Sequence, residues 1–181
     1  MNHYLVFDVE SVGLHGEAFA VGYVVVDENG KRFEEDLLAC DPQHCKGTQQ
    51  AHTWVQEHVP TLRNNCTESI EVRSAFWRAL QKFRHTYMPP IYDESTPLVW
   101  ADCGWPVEAR FLAACVDDVS HDREWDGPYP LHDIATLALA KGFDPLKIHD
   151  RLPDELPAHN PLCDARQSAR LLVALLKGEA I

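Results

Sequence analysis

Two β-branched apolar runs fall within the first 27 residues, at 4–9 (YLVFDV) and 19–27 (FAVGYVVVD), and a third extended stretch, 32–38, follows Glu28-Asn29-Gly30. Runs of this composition read as strands, and the Asn-Gly turn makes the second and third a hairpin. Beyond them the period changes. In residues 69–85 the apolar positions Ile70, Val72, Phe76, Trp77, Leu80 and Phe83 recur at helical spacing. Residues 97–100 (PLVW) return to a strand pattern, and Pro106 suits the first turn of a helix running through Phe111 and Leu112 towards Asp117. Residues 131–141 read as a short strand or turn entering a helix that stops at Gly142, and 161–177 as a helix opened by Pro161 and closed by Gly178. Strands first, then strands alternating with helices, predict an α/β sandwich and exclude a helix bundle.

The segment 40–62 holds no clear strand, although 51–58 reads as a short helix, and 87–95 and 117–130 read as surface loops. None of these is long or polar enough to be a linker, so the 181 residues are expected to form one domain, 1–181. The opening MNHYLVFDVE has neither a basic nor a long apolar segment, and no later stretch approaches a membrane span, so a cytoplasmic protein with no membrane partner is expected. The six cysteines lack the regular spacing of a disulfide framework, which predicts reduced thiols. Cys40, His44, Cys45 and His52 contain no C-x-x-C pair and make a poor zinc site.

Sixteen Lys+Arg against 28 Asp+Glu give a formal charge of −12, which argues against non-specific binding of long duplex nucleic acid. A site that holds a few terminal nucleotides through bound divalent cations escapes that objection. The acidic residues are placed for such a site. Asp8 and Glu10 stand two apart in the first predicted strand, so both carboxylates leave one face of the sheet. Asp164 falls in the first turn of the last predicted helix, where the macrodipole favours a carboxylate, and His159 hangs from the loop before it. Taken singly, either pair is compatible with a solvated strand end or a helix-capping acid.

Together, FDVES near the start and H-x-x-x-x-D-A-R near the end resemble the DEDDh 3′→5′ exonucleases, the family of proofreading exonucleases, RNase T and oligoribonuclease. The likeness extends from FDVESVGLHGEAFAVGYVVVDENG to AHNPLCDARQSARLL and so covers most of the chain. It implies an RNase H-like fold with a mixed sheet of about five strands flanked by helices. The middle motif departs from the family's F-D-x-x-F-L: in WADCGWPVEARFLAA, registering Phe111-Leu112 on its F-L puts Glu108 at the metal-ligand position, and Asp102, six residues earlier, is the competing candidate.

The resemblance implies metal-dependent removal of nucleotides from the 3′ end of short or single-stranded RNA or DNA. Two divalent ions roughly 4 Å apart would provide the nucleophilic water and stabilise the leaving oxygen. Asp8 would bridge them, with Glu10 and Asp164 completing one site and Glu108 or Asp102 supporting the other. An all-carboxylate set suits Mg²⁺ or Mn²⁺. His159 takes the role of general base, as an imidazole exchanges protons near neutral pH. Ser11, Gly13, Leu14 and His15 follow the first motif and are candidate contacts to the terminal nucleotide, Leu14 as a wedge against the last base. Trp105 or His15 would add stacking. By the same analogy a homodimer is expected. Two other readings stay open: a binding or regulatory module that kept the fold and lost the site, and a hydrolase of small nucleotides, which suits the net charge.

Overall fold

The structure, a computed structural model, describes residues 2–87, 98–179 and 181. Strands β1 (His3–Ser11), β2 (Ala18–Asp27) and β3 (Arg32–Ala39) form an antiparallel meander. The turn between β2 and β3 is closed by Asp27, whose side chain accepts from the backbone N–H groups of Asn29 and Lys31, with Gly30 at φ +90°. Two short strands, β4 (Val99–Ala101) and β5 (His132–Asp133), add in parallel on the other side of β1. The sheet order is β3-β2-β1-β4-β5, five strands of mixed direction with β1 at the centre.

Because side chains alternate along a strand, β1 feeds two cores. Leu5, Phe7 and Val9 pack with α2 (Ser69–Tyr87) and α3 (Ala109–Asp117), through Val72, Phe76, Leu80, Phe111 and Leu112. Tyr4 and Val6 face the opposite layer, formed by α5 (Ile134–Ala140) and α6 (Pro161–Lys177), through Ile134, Ala165, Ala169 and Leu172. The expected α/β architecture is present: helices cover both faces of the sheet.

Helix α6 spans the residues its signals predict. The Asn160 side chain accepts from the Leu162 N–H, Pro161 occupies the first turn, and Gly178 closes the helix at φ +75°. Elsewhere the boundaries shift. Helix α1 (Gln49–His58) starts two residues before the expected 51, because Thr48 caps it by accepting from the Ala51 N–H. The helix expected from Pro106 opens as a wide turn, Gly104–Glu108, with Trp105 extended at φ −133° and ψ 138°; regular α geometry begins only at Ala109. The expected loop 117–130 contains a short helix, α4 (Ser120–Arg123), pinned by Arg123, whose guanidinium donates to the Cys115 carbonyl and lies over the Trp77 ring. Of the expected loop 87–95, Tyr87 closes α2 and the remainder lies outside the described residues, as does Pro97 of the fourth strand. All six cysteines are free thiols.

Candidate active site

The register of the sheet sets the site. Strand β4 pairs with β1 only as far as Phe7↔Ala101, so Asp8 to Ser11 run on past the carboxyl end of the parallel pair. Crevices at the carboxyl ends of parallel strands are where α/β sheets hold ligands. Asp8 and Glu10 point to the α6 face, as their two-residue spacing predicts. Across the sheet, Asp8 pairs with Gly22. A β-carbon at Gly22 would stand 2.1 Å from the Leu162 nitrogen and 2.2 Å from the Pro161 carbonyl carbon. The missing side chain therefore lets the backbone of the first turn of α6 lie directly on β2, which delivers Asp164 to the acids of β1.

His159 arrives from the turn before α6 in the left-handed conformation, φ +60°, unusual for a residue with a side chain. Its Nδ1 lies 3.4 Å from Glu10 Oε1. Ligand atoms of Glu10, His159 and Asp164 all fall within 4.8 Å of one another, a spacing suited to one cation. Among the described residues no other cluster of His, Cys, Asp and Glu meets that criterion. The Cys/His set near residue 45 accordingly forms no site: Cys40 and Cys45 are buried with their sulfurs 3.8 Å apart, while His44 is exposed and His52 half-buried.

The electrostatics of the cluster are those of acids buried close to one another. At Asp8, loss of solvation first, then the charges of Asp164, Glu10, Glu108 and Asp102, hold the carboxyl well above the ordinary range. Glu10 is pushed up to about 8 by burial and by the charges of Asp164 and Glu108. Burial likewise raises Glu108 to about 7, against hydrogen bonds from its own backbone and from that of Val9 that pull it down. Burial raises Asp164 too, and the Arg151 guanidinium opposes the rise. Several hard oxygen donors that burial and mutual repulsion keep from ionising are a donor set that fits divalent cations.

The two middle-motif candidates sit differently. Glu108 is buried, at 6% exposure, and bears on both Asp8 and Glu10. Asp102, at the end of β4, is more exposed as a residue, yet loss of solvation raises its carboxyl as well, against a hydrogen bond with the Ser168 side chain on α6; what separates it from Glu108 is that it is the weakest of the four acids acting on Asp8.

Beside the acids lies a cavity of about 670 Å³, lined by residues 11–18 together with Lys46, Thr48, Ala51, Arg73, Arg110 and Phe111. Ser11, Gly13, Leu14 and His15 are all on its wall. The Ser11 hydroxyl donates to the Gly13 carbonyl, Gly13 turns the chain at φ +79°, and Leu14 stands 66% exposed. Arg110 fastens the loop by donating to the His15 carbonyl. Trp105 is 68% exposed on the wide turn and does not line this cavity.

Two neighbours of the site carry no sequence signal. Trp54, on α1, meets the His159 ring edge to face with centroids 5.3 Å apart, and its own ring stacks on His58 at 4.7 Å. Arg151 Nη1 lies 2.5 Å from Asp164 Oδ1. Trp54 is more than a hundred positions from His159 and Arg151 thirteen from Asp164, across a turn and into a helix, and no local periodicity links either pair.

No family model and no curated protein matches the sequence. Solved structures match its shape. Exonuclease I superposes at a TM-score of 0.59 with 13% identity over 99% of this chain and 41% of its own. Exonuclease I from Methylocaldum szegediense gives 0.60 with 16% identity over 97% and 40%. Exonuclease X, solved in complex with 5′ overhanging duplex DNA, gives 0.53 with 19% identity over 96% of this chain and 91% of its own. The chain spans about two fifths of the length of the exonuclease I structures. Among the described residues no helix is long and apolar enough to cross a membrane. The mixed five-stranded sheet with helices on both faces is thus the RNase H-like α/β fold of exonuclease I and exonuclease X.

Proposed function

We propose that the chain is a metal-dependent 3′→5′ exonuclease of the DEDDh type that removes nucleotides from the 3′ end of short or single-stranded nucleic acid. The observation that carries this reading is the meeting of Glu10 from the first strand with His159 and Asp164 from the last helix and its approach, within 4.8 Å. In this reading Asp8, Glu10 and Asp164 hold the cation side of the centre, with Glu108 as the middle-motif ligand because it is buried and acts on both acids of β1. Asp102 flanks the centre and steadies α6 through Ser168. When bound, Mg²⁺ or Mn²⁺ supplies positive charge and Lewis acidity at the scissile phosphate. Glu10 engages His159 at Nδ1, which leaves Nε2 to take the proton of the attacking water. The cavity along residues 11–18 receives the terminal nucleotide, with Leu14 against its base.

The test is release of mononucleotides from a 3′-labelled single strand under Mg²⁺ or Mn²⁺, and its absence with EDTA. Asp8→Ala and Glu108→Ala are each expected to lower the rate by at least roughly a hundredfold, and Asp102→Ala by less than about tenfold. Metal-independent release, or an Asp8→Ala variant as active as the parent, removes the reading. An inverted order of Glu108 and Asp102 transfers the ligand role to Asp102.

A further inference from the structure

A guanidinium reaches into the acidic centre from a segment outside all three motifs. Arg151 Nη1 contacts Asp164 Oδ1 at 2.5 Å and also donates to the Glu155 carbonyl at 2.8 Å. The backbone around Arg151 is tied to α6 on both sides. Glu155, 2% exposed, takes both Nε and Nη2 of Arg170 at 2.7 and 2.8 Å; the same Nη2 holds the Asp150 carbonyl, and Gln167 holds that of His149. The Arg151 side chain is less confined. It is 23% exposed and borders a cavity of about 220 Å³ shared with Asp102, Ile148, His149 and Gln167. The segment is thus fixed while the guanidinium has room beside it.

A guanidinium and a divalent cation on one carboxylate repel each other, so the Arg151–Asp164 pair and cation binding at Asp164 oppose one another. A guanidinium is also the side chain best shaped to hold a phosphate through paired N–H groups. Resting on the proposed nuclease reading, we propose that Arg151 is a phosphate-binding residue parked on Asp164: it supplies the counter-charge of the acidic centre before the cation arrives, and passes to a phosphate of the incoming strand once the cation takes Asp164. Arg151 is then both a competitor of the metal and a contact of the substrate. A structural tie from loop to helix would be neither.

Titration with Mn²⁺ alone, by calorimetry on the full chain without nucleic acid, separates these roles. Arg151→Met removes the charge and keeps the length, and is expected to bind Mn²⁺ about tenfold more tightly than the parent. Arg151→Lys, which keeps a charge there, should stay within about threefold of the parent. At saturating Mn²⁺, Arg151→Met should raise KM for a 3′-labelled oligonucleotide by roughly tenfold and change kcat by less than about threefold. If Arg151→Met does not fold, Arg151→Gln carries the same expectations. Asp164→Asn, titrated alongside, is expected to lose Mn²⁺ binding. Unchanged or weaker Mn²⁺ binding in the charge-removed variant, with binding lost in Asp164→Asn, overturns the role of Arg151 and leaves the metal centre standing. Unchanged KM overturns the phosphate contact. If Asp164→Asn binds Mn²⁺ as the parent does, the metal centre and this inference fall together.

Discussion

Glu10 shows at the scale of one residue what the site costs the fold. It is 9% exposed, faces Asp164 and Glu108, and its carboxyl is pushed up from 4.5 to about 8. Between those two values the unfolded chain has released the Glu10 proton while the folded chain keeps it, so the folded state binds more protons and stability falls as pH rises through the window. Below about 4.5 both states are protonated and the contribution is fully present; above about 8 both are ionised and it is gone. Glu10→Gln, which cannot ionise, is expected to escape this loss. In EDTA, urea unfolding should show the variant gaining on the parent by about 3.5 kcal/mol between pH 5 and pH 8. In Mn²⁺ the order should reverse, because the cation favours the ionised parent. A gap that stays constant with pH would mean that Glu10 ionises normally. The placement of Asp8, Glu10 and Asp164 was legible in the sequence, since a two-residue spacing in a strand and a position in the first helical turn each dictate where a carboxylate points, although only the two motifs together marked them as one candidate site. Trp54 and Arg151 were not, because their partners are reached only through the tertiary fold.

At the scale of the element, the site depends on how closely α6 lies on the sheet. Gly22 is the contact that sets this, with α6 backbone atoms 2.1 to 2.4 Å from where a β-carbon would be. Gly22→Ala must lift the first turn of α6 off β2 and carry Asp164 away from Asp8. The expected cost is about 3 kcal/mol, the upper end for forcing a methyl into a packed contact, together with weaker Mn²⁺ binding and a loss of nuclease rate beyond what the unfolded fraction accounts for. Unfolding by urea and calorimetric Mn²⁺ titration of the same sample check both. A variant of parental stability that binds Mn²⁺ normally would show that α6 can settle elsewhere. The helix itself was readable to the residue because Pro161 and Gly178 are chemical stops. Its seating on Gly22 was not, since a glycine in a strand looks the same whether it meets solvent or another backbone. The wide turn Gly104–Glu108 escaped sequence reading for a related reason: Pro106 suits a helix start, yet the extended Trp105 before it delays regular helix to Ala109, and Glu108 lies at that junction. Helix α4 is four residues held by Arg123 packing on Trp77, a long-range contact with no local pattern.

Across the whole molecule, the central strand serves two purposes at once. Its first half fills both cores, and the part beyond β4 carries the acids at the carboxyl end of the parallel strands. The chain as a whole, site acids included, carries a formal net charge of −12. That charge makes a prediction about substrate length distinct from the chemistry at the centre. A nuclease that draws its strand along a basic track releases counterions, and six to ten phosphate contacts lose roughly 10³ to 10⁵ in affinity between 50 and 200 mM salt. Here the chain's overall negative charge opposes the phosphates of a strand that runs on beyond the cation centre and its cavity, so added salt screens repulsion in place of attraction. With Mn²⁺ held saturating, kcat/KM on a strand of about forty nucleotides is expected to rise about two- to fivefold from 50 to 200 mM KCl, while that on a trinucleotide changes by less than about twofold. At low salt the trinucleotide should be the better substrate. A steep loss of activity on the long strand as salt rises would reveal a basic path for the nucleic acid, and the preference for short ends would then have to come from the walls of the cavity along residues 11–18.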